Sequence, residues 1–82
     1  MSKLIELHEK ATKKAEQLLE MGKDLHNQKT LLKLKLSNPS ANAVLFYTVD
    51  ELEKDINDTI DAFNSTKLSY LKLLFEIGNY NM

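Results

Sequence analysis

The chain has no cysteine, no arginine, a single proline and two glycines, and each scarcity removes a class of protein. Without cysteine there is no disulfide framework and no thiolate metal site, and a reducing compartment is compatible with the sequence. Without arginine all eleven basic residues are lysine, so the side chain best suited to bidentate contact with phosphate or guanine is missing. The abundance of asparagine beside lysine makes an AT-rich genome the simpler cause. No stretch approaches the roughly 18 apolar residues of a membrane span, and Met1-Ser2-Lys3-Leu4-Ile5-Glu6 lacks the apolar centre of a signal peptide. The expectation is a cytoplasmic protein, with export that needs no cleaved leader as the alternative.

What remains is a chain of 82 residues, enough for a single domain (1–82) with one small core. Hydrophobic residues make up 43% and charged residues 28%, a balance that belongs to folded helical proteins rather than disordered ones. The one interior cluster of turn formers is Ser37-Asn38-Pro39-Ser40-Ala41-Asn42, and the patterns on either side of it mirror each other. If residue i faces residue 81 − i, Leu4 meets Ile77, Ala11 meets Tyr70, Leu18 meets Phe63, Leu25 meets Ile56 and Leu32 meets Val49. A second ladder under the same rule pairs His8 with Leu73, Ala15 with Thr66, Gly22 with Thr59, Lys29 with Leu52 and Leu36 with Leu45. Heptad seams that agree on one turn position predict an all-α, coiled-coil-like antiparallel two-helix hairpin. The expected bounds are a helix over about 2–36, a turn over 37–42 and a helix over about 43–78.

Gly22 costs roughly 1 kcal/mol in a helix interior, and a place in the second seam, leaving room for Phe63 and Tyr70, would account for it; a plain mid-helix flaw is the alternative. The second helix has two possible starts. Pro39 can open a helix capped by Asn38, and Thr48 with Glu51 forms a capping box, with Tyr47 and Leu52 at staple spacing. The continuous helix from the turn is the preferred reading, with a separate short helix at 43–47 as the other. Asn64-Ser65-Thr66, three poor helix formers, could break the helix and give a third one. Gly78-Asn79 reads as its C-terminal stop.

Chemistry-bearing constellations are thin. His8 and His26 lie eighteen residues apart, roughly 27 Å along one helix, so they cannot share a metal there. Asp50, Glu51, Glu53, Asp55, Asp58 and Asp61 form a dense acidic set, of which Glu51, Asp55 and Asp58 fall on one face. No glycine-bearing loop surrounds them, and they read as a solvated face near the positive end of the helix dipole. No strand-to-helix elbow or phosphate-cradling loop is present. The expectation is a non-enzymatic protein with no cofactor and no metal. Asn57-Asp58-Thr59 and Asn64-Ser65-Thr66 match the glycosylation pattern, a match expected to be chance for a protein expected to stay in the cytoplasm.

Residues 1–37 carry eight lysines against five acids and residues 38–82 three against seven, so the two arms attract. A small nucleic-acid-binding or regulatory protein using Lys10, Lys13 and Lys14 of the first helix is the alternative function; the acidic second arm and the absence of arginine argue against it. The more informative feature is an excess of apolar residues. Beyond the two seams stand Ile5, Leu7, Leu19, Met21, Leu31 and Leu34 on the first helix, and Phe46, Ile60, Leu68, Leu71, Leu74 and Phe75 on or before the second. Two helices cannot cover all of them. Leu68, Leu71, Leu74 and Phe75 are therefore the expected partner-binding residues. The partner is a second copy closing a bundle or another protein's helix, in a protein-interaction or assembly role. The alternative is that the 43–47 turn folds back over the patch.

A lysine-bearing helix ending in Asn38-Pro39-Ser40, an apolar pair Val44-Leu45 and a second long helix resemble the small helical hairpins of type III secretion, both needle subunits and their co-chaperones. The resemblance covers about residues 18–75. It departs from needle subunits at Ala41-Asn42, where they carry a second proline, and at Asn79-Tyr80-Asn81-Met82, where they end in a basic residue. It implies an assembly or chaperone-like role without catalysis.

Overall fold

Ser2 starts the first helix by local chemistry: its backbone is extended and its hydroxyl accepts a hydrogen bond from the Leu4 amide at 3.1 Å. In the computed structural model, which describes residues 2–80, helix α1 then runs unbroken over Lys3–Ser37, and helix α2 spans Val49–Tyr80. The two pack side by side as an all-α antiparallel hairpin measuring 57 × 16 × 14 Å. Its radius of gyration is 17.8 Å, against about 12 Å for a compact domain of this length. The protein is a rod two helices thick.

The open end of the rod is closed by Leu7, Ala11 and Ile77, all buried, with Leu4, Tyr70 and Leu73 packed against them. The residues of the Leu4–Ile77 and Ala11–Tyr70 rungs thus gather in one cluster. Along α2 the inward columns are the expected ones, Val49 to Ile77 and Leu52 to Leu73. On α1 the second column differs from expectation. Leu7, Lys14, Met21, Gln28 and Lys35 turn inward, while His8, Gly22, Lys29 and Leu36 stand exposed. From Leu4 the seam can continue three or four residues on, and the three-residue step buries Leu7 and draws Met21 half-buried into the seam. Each buried leucine is worth about 1.5–3 kcal/mol, which His8 and Gly22 cannot match. Gly22 therefore does not leave room in the seam: a Cβ built there meets nothing within 4 Å. The inward step has a cost at Gln28, whose buried side-chain oxygen has no hydrogen-bond partner.

Between the helices the chain makes three successive turns, closed by hydrogen bonds from Ala41 to Asn38 (3.0 Å), Val44 to Ala41 (3.0 Å) and Tyr47 to Val44 (3.1 Å). Asn38 ends α1, its amide donating to the Leu34 carbonyl at 2.7 Å, and Pro39 takes the second position of the first turn, which its fixed φ suits. Lys35 fastens the loop to α1: its ammonium donates to the carbonyls of Pro39 (3.3 Å) and Val44 (3.2 Å). Val44 is completely buried. The second helix accordingly begins at Val49, not at 43. The Thr48 start prevails because the Thr48 hydroxyl accepts from the Glu51 amide (3.1 Å) and donates to the Glu51 carboxylate (3.1 Å), fixing the first turn. The expected rung between Leu36 and Leu45 is absent, both being exposed.

No break occurs at Asn64-Ser65-Thr66. Thr66 lies half-buried in the seam between Phe63 and Tyr70, and packing of that face outweighs propensity differences of about 0.5 kcal/mol per residue. Gly78 does not stop the helix either; it has no left-handed backbone, and α2 continues to Tyr80. Replacing Thr48 by alanine removes the cap and should lower stability by about 1 kcal/mol, whereas Thr48→Asp should retain most of it. Chemical denaturation of the two variants beside the wild type checks this.

Candidate functional site

The hairpin leaves much of its apolar surface in solvent. Its accessible surface is 6188 Å² for 9.4 kDa, where a compact monomer of that mass exposes about 5,000 Å². The excess is of the order of the ~800 Å² that one partner loses in a standard protein interface.

The four residues expected to bind a partner are all exposed: Leu68 64%, Phe75 72%, and Leu71 and Leu74 less so. Three of them share one surface. At 100° per residue Leu68, Leu71 and Phe75 fall within an arc of about 60°, on the side of α2 that faces away from α1. They line one depression there, with Lys72 and Glu76 at its rim. Leu74 lies about 120° round from Leu68, beside the seam, and is not part of that depression. The helical spacing i, i+3, i+7 made this stripe legible in sequence.

Two further apolar surfaces accompany it. At the loop tip Phe46 is 90% exposed, with Leu36, Leu45 and Tyr47 also in solvent. Of these, Leu36 and Leu45 were assigned to a seam rung by sequence pattern, which had no signal for the α1 register that turns Leu36 outward or for the three turns that carry Leu45. On the flank of α1, Leu18, Leu19, Gly22 and His26 form a groove floored by Phe63. Leu18 and Phe63 thus meet at one groove, and Phe63 is half-buried rather than enclosed. Of the other apolar residues, Leu7 is buried, Met21, Leu31, Leu34 and Ile60 are half-buried, and Ile5 is exposed. The loop therefore covers no more than part of the excess.

The polar candidates disperse. His8 and His26 are exposed and sit on different depressions. Glu51 is engaged in the cap, and Asp58 accepts a hydrogen bond from Lys54 at 2.9 Å. That hydrogen bond, followed by the charge of Asp58, raises the Lys54 pKa above its ordinary value. Among the described residues no group of three or more metal-binding side chains converges. Lys10 and Lys13 are exposed, while Lys14 is half-buried at the seam. The ion pairs among the described residues, Lys3–Glu6 and Lys54–Asp58, both lie within one helix, so the opposite charges of the arms act as a field and not as bridges.

No family model, curated protein or solved structure matches this chain. No helix among the described residues is long and apolar enough to cross a membrane.

Burial separates the two phenylalanines sharply. Phe46→Ser should change hairpin stability by no more than about 0.5 kcal/mol. Phe63→Ala should cost about 2 kcal/mol, less than the 3–5 kcal/mol of a fully enclosed phenylalanine. Urea unfolding of both variants, monitored by helicity, makes the comparison.

Proposed function

We propose that the protein is a non-enzymatic helical interaction and assembly module, whose C-terminal stripe on α2 receives an apolar helix of a protein partner. The observation that carries this reading is the depression lined by Leu68, Leu71 and Phe75 on the side of α2 turned away from α1. Those side chains add nothing to the hairpin's own seam. A soluble chain that leaves leucine and phenylalanine together at i, i+3 and i+7 on a helix of 32 residues offers the pattern by which amphipathic helices recognise one another. Leu74 flanks this surface from the seam side.

The likeness of the Asn38-Pro39-Ser40 hairpin to needle subunits and co-chaperones of type III secretion supports the same class of role. A chaperone-like holding of a partner helix and incorporation into a larger helical assembly both use such a stripe.

Serine at both Leu71 and Phe75 removes some 100–200 Å² of apolar contact, worth about 3–5 kcal/mol at ~25 cal/mol per Å². Association should weaken at least a hundredfold while helicity is unchanged. Sedimentation equilibrium and circular dichroism on the same sample read both. Loss of helicity together with association would show that the stripe belongs to the hairpin's own core, and unchanged association would remove it as an interface.

A further inference from the structure

The hairpin has two broad faces, and they differ in composition. On one side run the α1 columns that begin at Lys3 and Glu6 and the α2 columns that begin at Glu51 and Asp55. Lys3 and Glu76, which belong to these columns, line a common depression with Leu7 and Tyr80, which places them on the same side of the rod. Counted down the columns, this face carries eleven lysine, aspartate and glutamate residues. The opposite face is built from the α1 columns that begin at Ile5 and His8 and the α2 columns that begin at Asp50 and Glu53. It carries five. In place of charge it presents Ile5, Leu19 and the Gly22 groove from α1 and Ile60, Leu71 and Leu74 from α2.

Four of the five charges cluster, and the fifth, Lys67, stands alone midway along α2. Lys29 and Lys33 on α1 and Asp50 and Glu53 on α2 gather at the loop end, all exposed and none paired within 4.0 Å among the described residues. Positive charge sits on one helix and negative charge on the other at the same height along the rod. A rotation of 180° about an axis parallel to the rod lays α1 of one copy over α2 of the other, loops at the same end. Lys29 and Lys33 then face the acidic pair of the second copy, twice by symmetry. The same rotation brings Ile60 of one copy to the height of Gly22 on the other, where the groove has no side chain to fill it. A two-fold axis across the rod instead sets the lysines against the Ile5–His8 end, with no acid to meet.

We propose that this face docks a second copy of the chain, two hairpins closing a four-helix bundle about a two-fold axis parallel to their length. The proposal rests on the assembly reading above, shares Leu71 with its stripe, and adds a second face, the partner that covers it and the symmetry of the pair. A face of 57 × 16 Å is about 900 Å², close to the ~800 Å² per partner of a stable interface. A net charge of −1 per copy opposes pairing negligibly. Up-and-down neighbours with short connections are what such bundles require.

The test uses the full chain and two charge variants, Lys29→Glu with Lys33→Glu, and Asp50→Lys with Glu53→Lys. Each variant alone places like charges across the interface, a cost of several kcal/mol, and its dimer dissociation constant should rise at least about a hundredfold at low salt. Mixed in equal amounts, the two should form a heterodimer as tight as the wild-type dimer, by sedimentation equilibrium. Gly22→Leu supplies a second arm that leaves the hairpin helical, since the added side chain meets open space there; it should fill the groove and abolish the dimer. A monomeric wild type overturns the proposal, as does failure of the mixed variants to pair or a Gly22→Leu dimer of unchanged affinity. Variants that stay dimeric while the Leu71 and Phe75 serine double variant dissociates would leave the assembly reading standing and refute this face.

Discussion

The choice of which α1 column follows Leu4 into the seam governs the rest of the molecule. Stepping three residues, to Leu7, rather than four, to His8, brings Leu7 and Met21 inward in place of His8 and Gly22 and turns the helix by about 50° relative to the alternative. Three consequences follow from that turn. Gln28 is drawn inward without a partner for its oxygen, Lys35 is brought to the place where it can hold the loop, and the column of His8, Gly22 and Lys29 is released to solvent. A released column next to Ile5 and Leu19 is an apolar flank with no occupant inside the hairpin. The exposed apolar flank and the core are therefore two results of one packing decision.

Lysine 35 shows how the loop depends on the same register. An ammonium near a helix C-terminus is favoured by the dipole and by free carbonyls, and here it reaches two loop carbonyls as well. With Val44 buried and three turns closed in series, the connection is ordered without glycine, and the capping box at Thr48 sets where α2 begins. The loop tip consequently projects Phe46 into solvent instead of returning it to the rod.

Much of this architecture was legible in the residues. The turn at Asn38-Pro39, the α2 columns, the capping box and the exposed stripe at Leu68, Leu71 and Phe75 follow from spacing and residue chemistry that act over one or two turns of helix. Where the reading departed from the structure, a distant term decided. Heptad spacing from Leu4 is satisfied equally by Leu7 or His8, and only the total burial along 35 residues of α1 distinguishes them. Asn64-Ser65-Thr66 and Gly78 carry local signals to stop, yet the seam from Phe63 to Ile77 carries the helix through both. Leu74 was grouped with Leu68, Leu71 and Phe75 as an apolar residue left over from the two seams; it is exposed like them, and helix geometry sets it on the flank of α2 rather than in their depression. The Leu36–Leu45 pair failed because mirror symmetry was carried beyond the start of α2: Leu45 lies in the loop before Val49, and the register of α1 turns Leu36 outward.

The account stands on an intramolecular antiparallel pairing, and the absence of cysteine makes that directly measurable. Spin labels on cysteines introduced at Glu9 and Lys72, both exposed and opposite one another across the seam, report the pairing by pulsed dipolar spectroscopy. The labelled chain is diluted in an excess of unlabelled protein. Two packed helices, each about 10–12 Å across, predict a single narrow distance below about 30 Å that persists on dilution. A chain opened into one extended helix, or exchanged between copies, would separate the labels by roughly 90 Å at 1.5 Å per residue, and the short distance would vanish on dilution.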